Sequence, residues 1–253
     1  MNFVRYSLMA SIYLLSIFSI CRAAPVDSWF SQANKFYEEQ QYDSAITYYQ
    51  RITESGVSNS AVFFNLGNAY FRTDKIGLAI LNYEKAKRLA PDDSDIEANI
   101  HFANMHTVDR TPVPQRSFLA SILWRLHTLF SLKQQLWVLF AILMLSSIMF
   151  SFSLFAGHNV RLWLIYGISL SLLFILTLGV SVGIKIHERE SVKYAVVLHK
   201  AVDAVNQPRG SKVLFNAHEG TRFRIRKRQG SWVLVSLPNG ASGWVNSEAL
   251  GEI

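Results

Sequence analysis

With 253 residues, 50% of them apolar and 13% aromatic, the chain carries too much hydrophobic material to remain disordered, and its length exceeds one average domain. The net charge of +7 is unevenly spread: residues 27–110 sum to −4, residues 111–190 to +4 and residues 191–253 to +5, so an acidic and a basic segment with a mutual attraction flank the most apolar stretch. A single cysteine, Cys21, excludes an internal disulfide and any CxxC or Cys/His metal spacing.

The N-terminal stretch "MNFVRYSLMASIYLLSIFSICRAAP" joins a basic start at Arg5 to an apolar run from Tyr6 to Ile20 and small residues at Ala23 and Ala24. This pattern predicts a signal peptide over residues 1–23; the alternative is an uncleaved anchor, and either version exports the residues after it. Cys21 stands where a lipid-attachment cysteine would, but Ile20 before it is larger than the small residue such sites carry.

The next segment is self-similar. Phe63, Leu66, Gly67 and Tyr70 precede Ala79, Tyr83, Ala86 and Pro91, and a shift back by about 34 residues lands on Trp29, Ala33, Phe36, Ala45 and Tyr49. Each unit reads as two amphipathic helices of about 12 to 14 residues, too short to be stable alone, which bury their apolar sides against a neighbour. Gly67 falls mid-helix, where glycine costs roughly 1 kcal/mol relative to alanine. With Ala33 it is expected to let the first helix of a unit approach the second near Ala45 and Ala79. Gly56 and Asp74 suit turns, and Pro91 stops a helix. A further helix begins at "SDIEANIHFANMH", with Ser94 as N-cap and Glu97 three residues on, and "TPVPQ" breaks the chain after it.

These residues resemble a tetratricopeptide repeat, with Phe63 in place of the tryptophan of W-x2-L-G-x2-Y. The resemblance divides residues 26–107 into repeats 26–59 and 60–93 and a capping helix 94–107. Two and a half repeats is near the minimum for stability, so the stretch 118–131 or a partner is expected to complete the array. The resemblance also implies a concave groove lined by the first helices, with Phe30, Asn34, Tyr37, Phe64, Asn68, Phe71, Phe102 and Met105 on that face and Asn65 close by. Aromatic rings and amides are what an extended peptide backbone needs, although the same aromatics suit ordinary helix packing. The lysine and arginine cluster by which chaperone-binding members grip a carboxylate is missing, which speaks against a free C-terminus as ligand.

Residues 108–133 form a linker in which Phe118, Ile122, Leu126 and Leu129 keep helical spacing, with Trp124 and Arg125 at headgroup level; an interfacial helix and a continuation of the next span fit equally. Residues 134–156 and 162–184 are long apolar runs joined by "AGHNVR", which predicts a transmembrane helical hairpin. Small residues at Gly167, Gly179, Gly183, Ser169, Ser171 and Ser181 allow close helix approach. Neither run holds Asp, Glu or Lys, which argues for an anchor rather than an ion path. An exported start places both soluble parts outside, facing the periplasm from the bacterial inner membrane, although the flanks carry more Lys and Arg than the turn.

Over residues 190–253 the periodicity switches to short alternating runs separated by "HEG", "RQGS", "LPNG" and "SEAL", which predicts a small barrel. Glu219-Gly220 before a strand, Trp232 after a glycine turn and Gly243-Trp244-Val245 resemble a bacterial SH3-type domain. Arg222, Arg224, Arg226 and Arg228 alternate with Phe223, Ile225 and Lys227 and are expected to form one basic strand face, either for an acidic partner or as a solvated edge. The fold class is therefore multi-domain, α then β: a helical tetratricopeptide solenoid, a transmembrane hairpin and a small SH3-like β-barrel.

The sequence shows no HExxH, GxSxG, P-loop or dinucleotide fingerprint, and the histidines are scattered. No catalytic or metal residues and no cofactor are expected, and the chain is not expected to be an enzyme or to bind nucleic acid. In its order of segments it resembles BatE-like proteins of aerotolerance operons. That resemblance implies a membrane-anchored scaffold for protein partners, von Willebrand factor A domain proteins among them, in envelope or oxidative stress. The alternative is a cell-wall sensor binding peptidoglycan through the SH3-like domain.

Overall fold

A computed structural model describes residues 26–109 and 117–253, which leaves the signal segment 1–23 outside the described residues. The chain divides into two compact units. One joins the N-terminal helical part to Tyr194–Ile253, and the other spans Val113–Lys193.

In the first unit α1 (residues 26–38), α2 (Tyr42–Glu54), α3 (Ser60–Arg72), α4 (Ile76–Leu89) and α5 (Ser94–Asn104) follow one another, and α2 through α5 pack each on the next. The repeat register reaches the turns: Gln40 and Asp74 both hold left-handed backbone, with φ of 62° and 60°. Gly67 is a close-approach residue as expected, because a Cβ there would lie 2.6 Å from the Tyr83 ring and 3.2 Å from the Ala79 carbonyl oxygen. One cap differs from expectation. Asp93, not Ser94, caps α5 by accepting from the N–H groups of Asp95 and Ile96, and Glu97 pairs with Lys87 instead. The carboxylate of Asp93 suits a helix start better than a hydroxyl, since it also meets the helix dipole.

The β part consists of β1 (Tyr194–Val197), β2 (Ala201–Val205), β3 (Val213–His218), β4 (Arg222–Gln229), β5 (Trp232–Ser236), β6 (Ser242–Asn246) and β7 (Leu250–Glu252). They form one antiparallel sheet in the order β3-β2-β6-β5-β4-β1-β7. The ladder does not close into the expected barrel. Its terminal strands β3 and β7 are not paired to each other, and the three-residue β7 lies against α4 instead.

The apolar run of β1 explains why: it is buried on both faces. Ala195 and Val197 join the sheet core around Phe223, Val233, Val235 and Val245, while Val196 between them joins the helical core. Strand alternation sends neighbours to opposite faces, so one strand serves two cores. On α4 the residues Gly77, Ile80, Leu81 and Glu84 form the matching stripe at helical spacing. A Cβ at Gly77 would lie 2.7 Å from the Val197 oxygen, Leu81 meets Gly251, and buried Glu84 pairs with Arg222 at 3.1 Å. The attraction anticipated between acidic and basic segments is thus a specific ion pair.

Five consecutive residues, His218–Arg222, hold this contact. The Gly77 N–H donates to Glu219 Oε1 at 2.8 Å, a carboxylate at the start of α4, where the preceding Lys75 supplies no side-chain cap. Gly220 (φ 86°) meets Ile80 and Thr107, and Arg222 stacks on Tyr194 at 4.0 Å. Asp109 accepts from the His218 N–H (2.7 Å) and the Thr221 hydroxyl (2.6 Å), and lies 2.8 Å from His218 Nδ1. Burial acts to raise the Asp109 pKa, but these hydrogen bonds outweigh it and hold the carboxyl below its ordinary range. A depressed folded-state pKa stabilises the unit at pH values above the unfolded value, and this stabilisation disappears as pH falls through the folded value. Asp109→Asn is therefore expected to lower stability at pH 7 and to flatten its decline between pH 5 and 3, checked by thermal unfolding across that range.

The second unit holds α6 (Phe118–Leu129), α7 (Leu132–Ser153) and α8 (His158–Ser191). α6 is a separate helix rather than a continuation of α7, because a capping box of Ser131 and Gln134 starts α7 afresh. α7 and α8 are each long and apolar enough to cross a membrane; the 22 residues of α7 reach about 33 Å, against a hydrocarbon core of roughly 30 Å. Ser146 donates to Ser171 at 2.7 Å between the two helices, and Gly167 faces Met149. Gly179 and Gly183 have no such neighbour among the described residues. Fully buried Gln135 donates to the His127 carbonyl and accepts from Ser181, tying α6 to α7 and α8.

Candidate functional site

The expected groove residues stand on α1, α3 and α5 at intervals set by the repeat. Asn34 Oδ1 accepts from the Tyr49 hydroxyl (2.6 Å) and from Asn65 Nδ2 (3.2 Å); one repeat later, Asn68 Oδ1 accepts from the Tyr83 hydroxyl (2.8 Å) and from Asn99 Nδ2 (2.9 Å). The aromatic pairs repeat with the same offset, Phe30 with Tyr49 at 6.1 Å and Phe64 with Tyr83 at 5.9 Å. The ladder ends on α5, where Phe102 occupies the position of Asn34 and Asn68. Phe71, Phe102 and His106 form an aromatic cluster there with centroids 4.9 to 5.3 Å apart. Phe102 is 48% exposed and Met105 58% exposed, so this end presents apolar surface to solvent.

Burial pushes the Tyr49 hydroxyl up to about 12 against the lowering effect of its Asn65 hydrogen bond, and burial also raises Tyr83. Both tyrosines thus stay protonated donors and lock the Oδ1 atoms of Asn34 and Asn68. The Nδ2 groups of these two asparagines make no hydrogen bond among the described residues. Each repeat therefore offers an amide donor beside an amide acceptor, Oδ1 of Asn65 or Asn99, which is the complement of a peptide group.

Phe30, Asn34, Tyr37, Phe64, Asn65, Asn68 and Phe71 are all half-buried and packed along this ladder. Sequence reasoning missed Asn99, Tyr49 and Tyr83 as members. The signal was present: Asn99 stands one repeat after Asn65, and Tyr83 one repeat after Tyr49.

The basic strand face is not one face. A β-bulge between Ile225 and Lys227 reverses the alternation, so Arg224 and Lys227 oppose Ser236 and Leu234 on one side while Arg228 opposes Val233 on the other. Arg222 is engaged by Glu84, Arg226 donates to Ser236 Oγ at 2.9 Å, and Arg228 pairs with Glu252.

Among curated proteins none matches the chain. A family model described as the tetratricopeptide repeat matches residues 60–93, the stretch that holds Phe64, Asn65, Asn68, Phe71 and Tyr83.

Proposed function

We propose that the protein is a membrane-anchored scaffold whose groove on α1, α3 and α5 binds a protein partner. The repeated Asn–Tyr–Asn arrangement carries this reading, together with the tetratricopeptide match. Residues 26–59 act as the first repeat and residues 94–107 as the capping helix. The β part is read as an SH3-like fold, supported by the tight antiparallel succession β4-β5-β6 and the 3-10 turn before β7. The assigned role is binding, not catalysis.

In this reading α7 and α8 cross the bilayer as a hairpin. Residues 26–109 and 194–253 pack into one unit, so they must lie on one side of the membrane, and two crossings between them meet that requirement. We take both to face the periplasm from the inner membrane, a reading supported by the basic start and apolar run of residues 1–23. The order of repeat, hairpin and β part supports a BatE-like role in an aerotolerance complex with von Willebrand factor A domain proteins.

The test is co-purification from intact cells after crosslinking, in mild detergent. Asn68 is a poor choice for substitution because its loss leaves the buried Tyr83 hydroxyl unpaired, at a cost of about 1 to 3 kcal/mol. Asn65→Ala with exposed Phe102→Ala is expected to reduce recovery of partners about tenfold, the effect of roughly 1.4 kcal/mol. Undiminished recovery would remove the groove assignment. Retention of the full chain on purified peptidoglycan, unaffected by that pair, would move the function to the β part.

A further inference from the structure

One charge pattern is not used by the scaffold reading. Of the six Lys and Arg residues between 117 and 193, five (Arg125, Lys133, Lys185, Arg189 and Lys193) fall at the α6 end of the hairpin, against Glu188 and Glu190. The turn at the other end has Arg161, whose guanidinium is spent on the carbonyl oxygens of Ser153 (3.0 Å) and Leu154 (3.4 Å), where it closes α7. With the α6 end outward this bias runs against the positive-inside rule, so topology does not account for it.

Three helices bring these cations to one level. Ser181 on α8 donates to Gln135 on α7 at 3.2 Å, and His127 on α6 meets the same serine, its Nδ1 2.7 Å from Ser181 Oγ. Lys133 stands two residues before Gln135 and Lys185 four residues after Ser181, so both lie within about 6 Å of that cluster along the helix axes, on the side away from the turn. Lys185 also donates to the Phe130 carbonyl at the end of α6, and Arg189 follows one turn further out.

α6 supplies the fourth side chain and fixes the depth. Its 12 residues reach about 18 Å, too short to cross a hydrocarbon core of roughly 30 Å. Ser121, Arg125 and Thr128 share one side at helical spacing, and both hydroxyls turn back on backbone carbonyls, those of Phe118 and Trp124. On the other side Phe118 is 82% exposed and Leu129 66%. Acyl chains cover such residues, and a helix of this pattern lies in the interface with its polar side towards the headgroups. Arg125 and Lys133 are exposed and form no ion pair among the described residues.

We propose that the α6 end of the hairpin is a binding site for the phosphodiester headgroup of an anionic phospholipid, contacted by Arg125 and Lys133, with Lys185 and Arg189 adding to the positive field. The inference rests on the reading of α7 and α8 as membrane spans and adds the lipid that the anchor selects. A zwitterionic headgroup carries its own ammonium beside the phosphate and gains little from nearby cations, whereas a headgroup of net negative charge gains from each one. The acyl chains of the bound lipid run along the apolar side of α6.

The experiment is native mass spectrometry of the full chain released from detergent micelles that contain phosphatidylglycerol and phosphatidylcholine in equal amounts with matched acyl chains. Expected is retention of phosphatidylglycerol about tenfold over phosphatidylcholine, abolished by Arg125→Gln with Lys133→Gln and kept by Arg125→Lys with Lys133→Arg. Both side chains are exposed and stand outside the Gln135 cluster, so neither pair of substitutions threatens folding. Equal retention of the two lipids, or a preference that the glutamine pair leaves intact, overturns the site. Flotation with pure phosphatidylcholine vesicles after an alkaline carbonate wash tests the spans separately. A chain that stays with those vesicles keeps the membrane reading whichever lipid it selects, and a chain that washes off overturns both.

Discussion

Truncation after Ser191 is expected to abolish cooperative unfolding of the helical part. The cut removes Val196 from the helical core and exposes Ile80 and Leu81, residues 1% and 6% accessible in the intact unit. Full burial of such side chains is worth about 1.5 to 3 kcal/mol each. Losing three approaches the total stability of a typical domain, roughly 5 to roughly 15 kcal/mol. The start of α4 also loses Glu219, buried Glu84 loses Arg222, and Asp109 loses its three contacts. The converse experiment keeps both parts and discards the hairpin. The chain leaves the first unit just after Asp109, which is held by Thr221, and re-enters at Tyr194, which lies beneath Arg222. Replacing residues 110–193 by a short Gly/Ser linker is therefore expected to yield a protein that remains in solution without detergent and unfolds in one transition by circular dichroism. Two separate transitions would show that the helical and β parts fold independently.

Gly67→Val is expected to destabilise that linked unit by about 3 kcal/mol, near the upper end of what overpacking usually costs. The added atoms meet the ring of Tyr83, which is 3% exposed and bonded to Asn68, and the backbone of Ala79, so neither neighbour can withdraw cheaply. Gly67→Ala tests the same point more sharply. Helix propensity favours alanine by roughly 1 kcal/mol, so a loss of stability in urea unfolding isolates the steric term, while a gain would show that the helices have room to part.

Much of the site was legible because it is periodic. Gly67, the turn residue Asp74 and the groove positions on α1 and α3 all derive from a single repeat offset combined with helical spacing. What escaped was the identity of each residue's partner. Tyr49 reads as an ordinary apolar repeat position, yet its hydroxyl donates to Asn34, and Asn99 joins the ladder only because α5 packs on α4. The basic strand failed for a different reason. Strict alternation was assumed from Arg222 to Arg228, and one extra residue at a bulge sends Arg228 to the opposite face.

The sequence by itself determined the repeat register, the two apolar helices and the passage from helical to strand periodicity, since these arise from local spacing and from length against the thickness of a bilayer. Only the tertiary structure decided that the β sheet packs on the helical array, through β1 and β7 against α4. It also decided that His218–Arg222 binds both chain crossings and α4. Several of those contacts join residues more than a hundred positions apart, such as Gly77 with Glu219 and Asp109 with Thr221. No local pattern encodes them; they depend on which faces remain unburied once each element has formed.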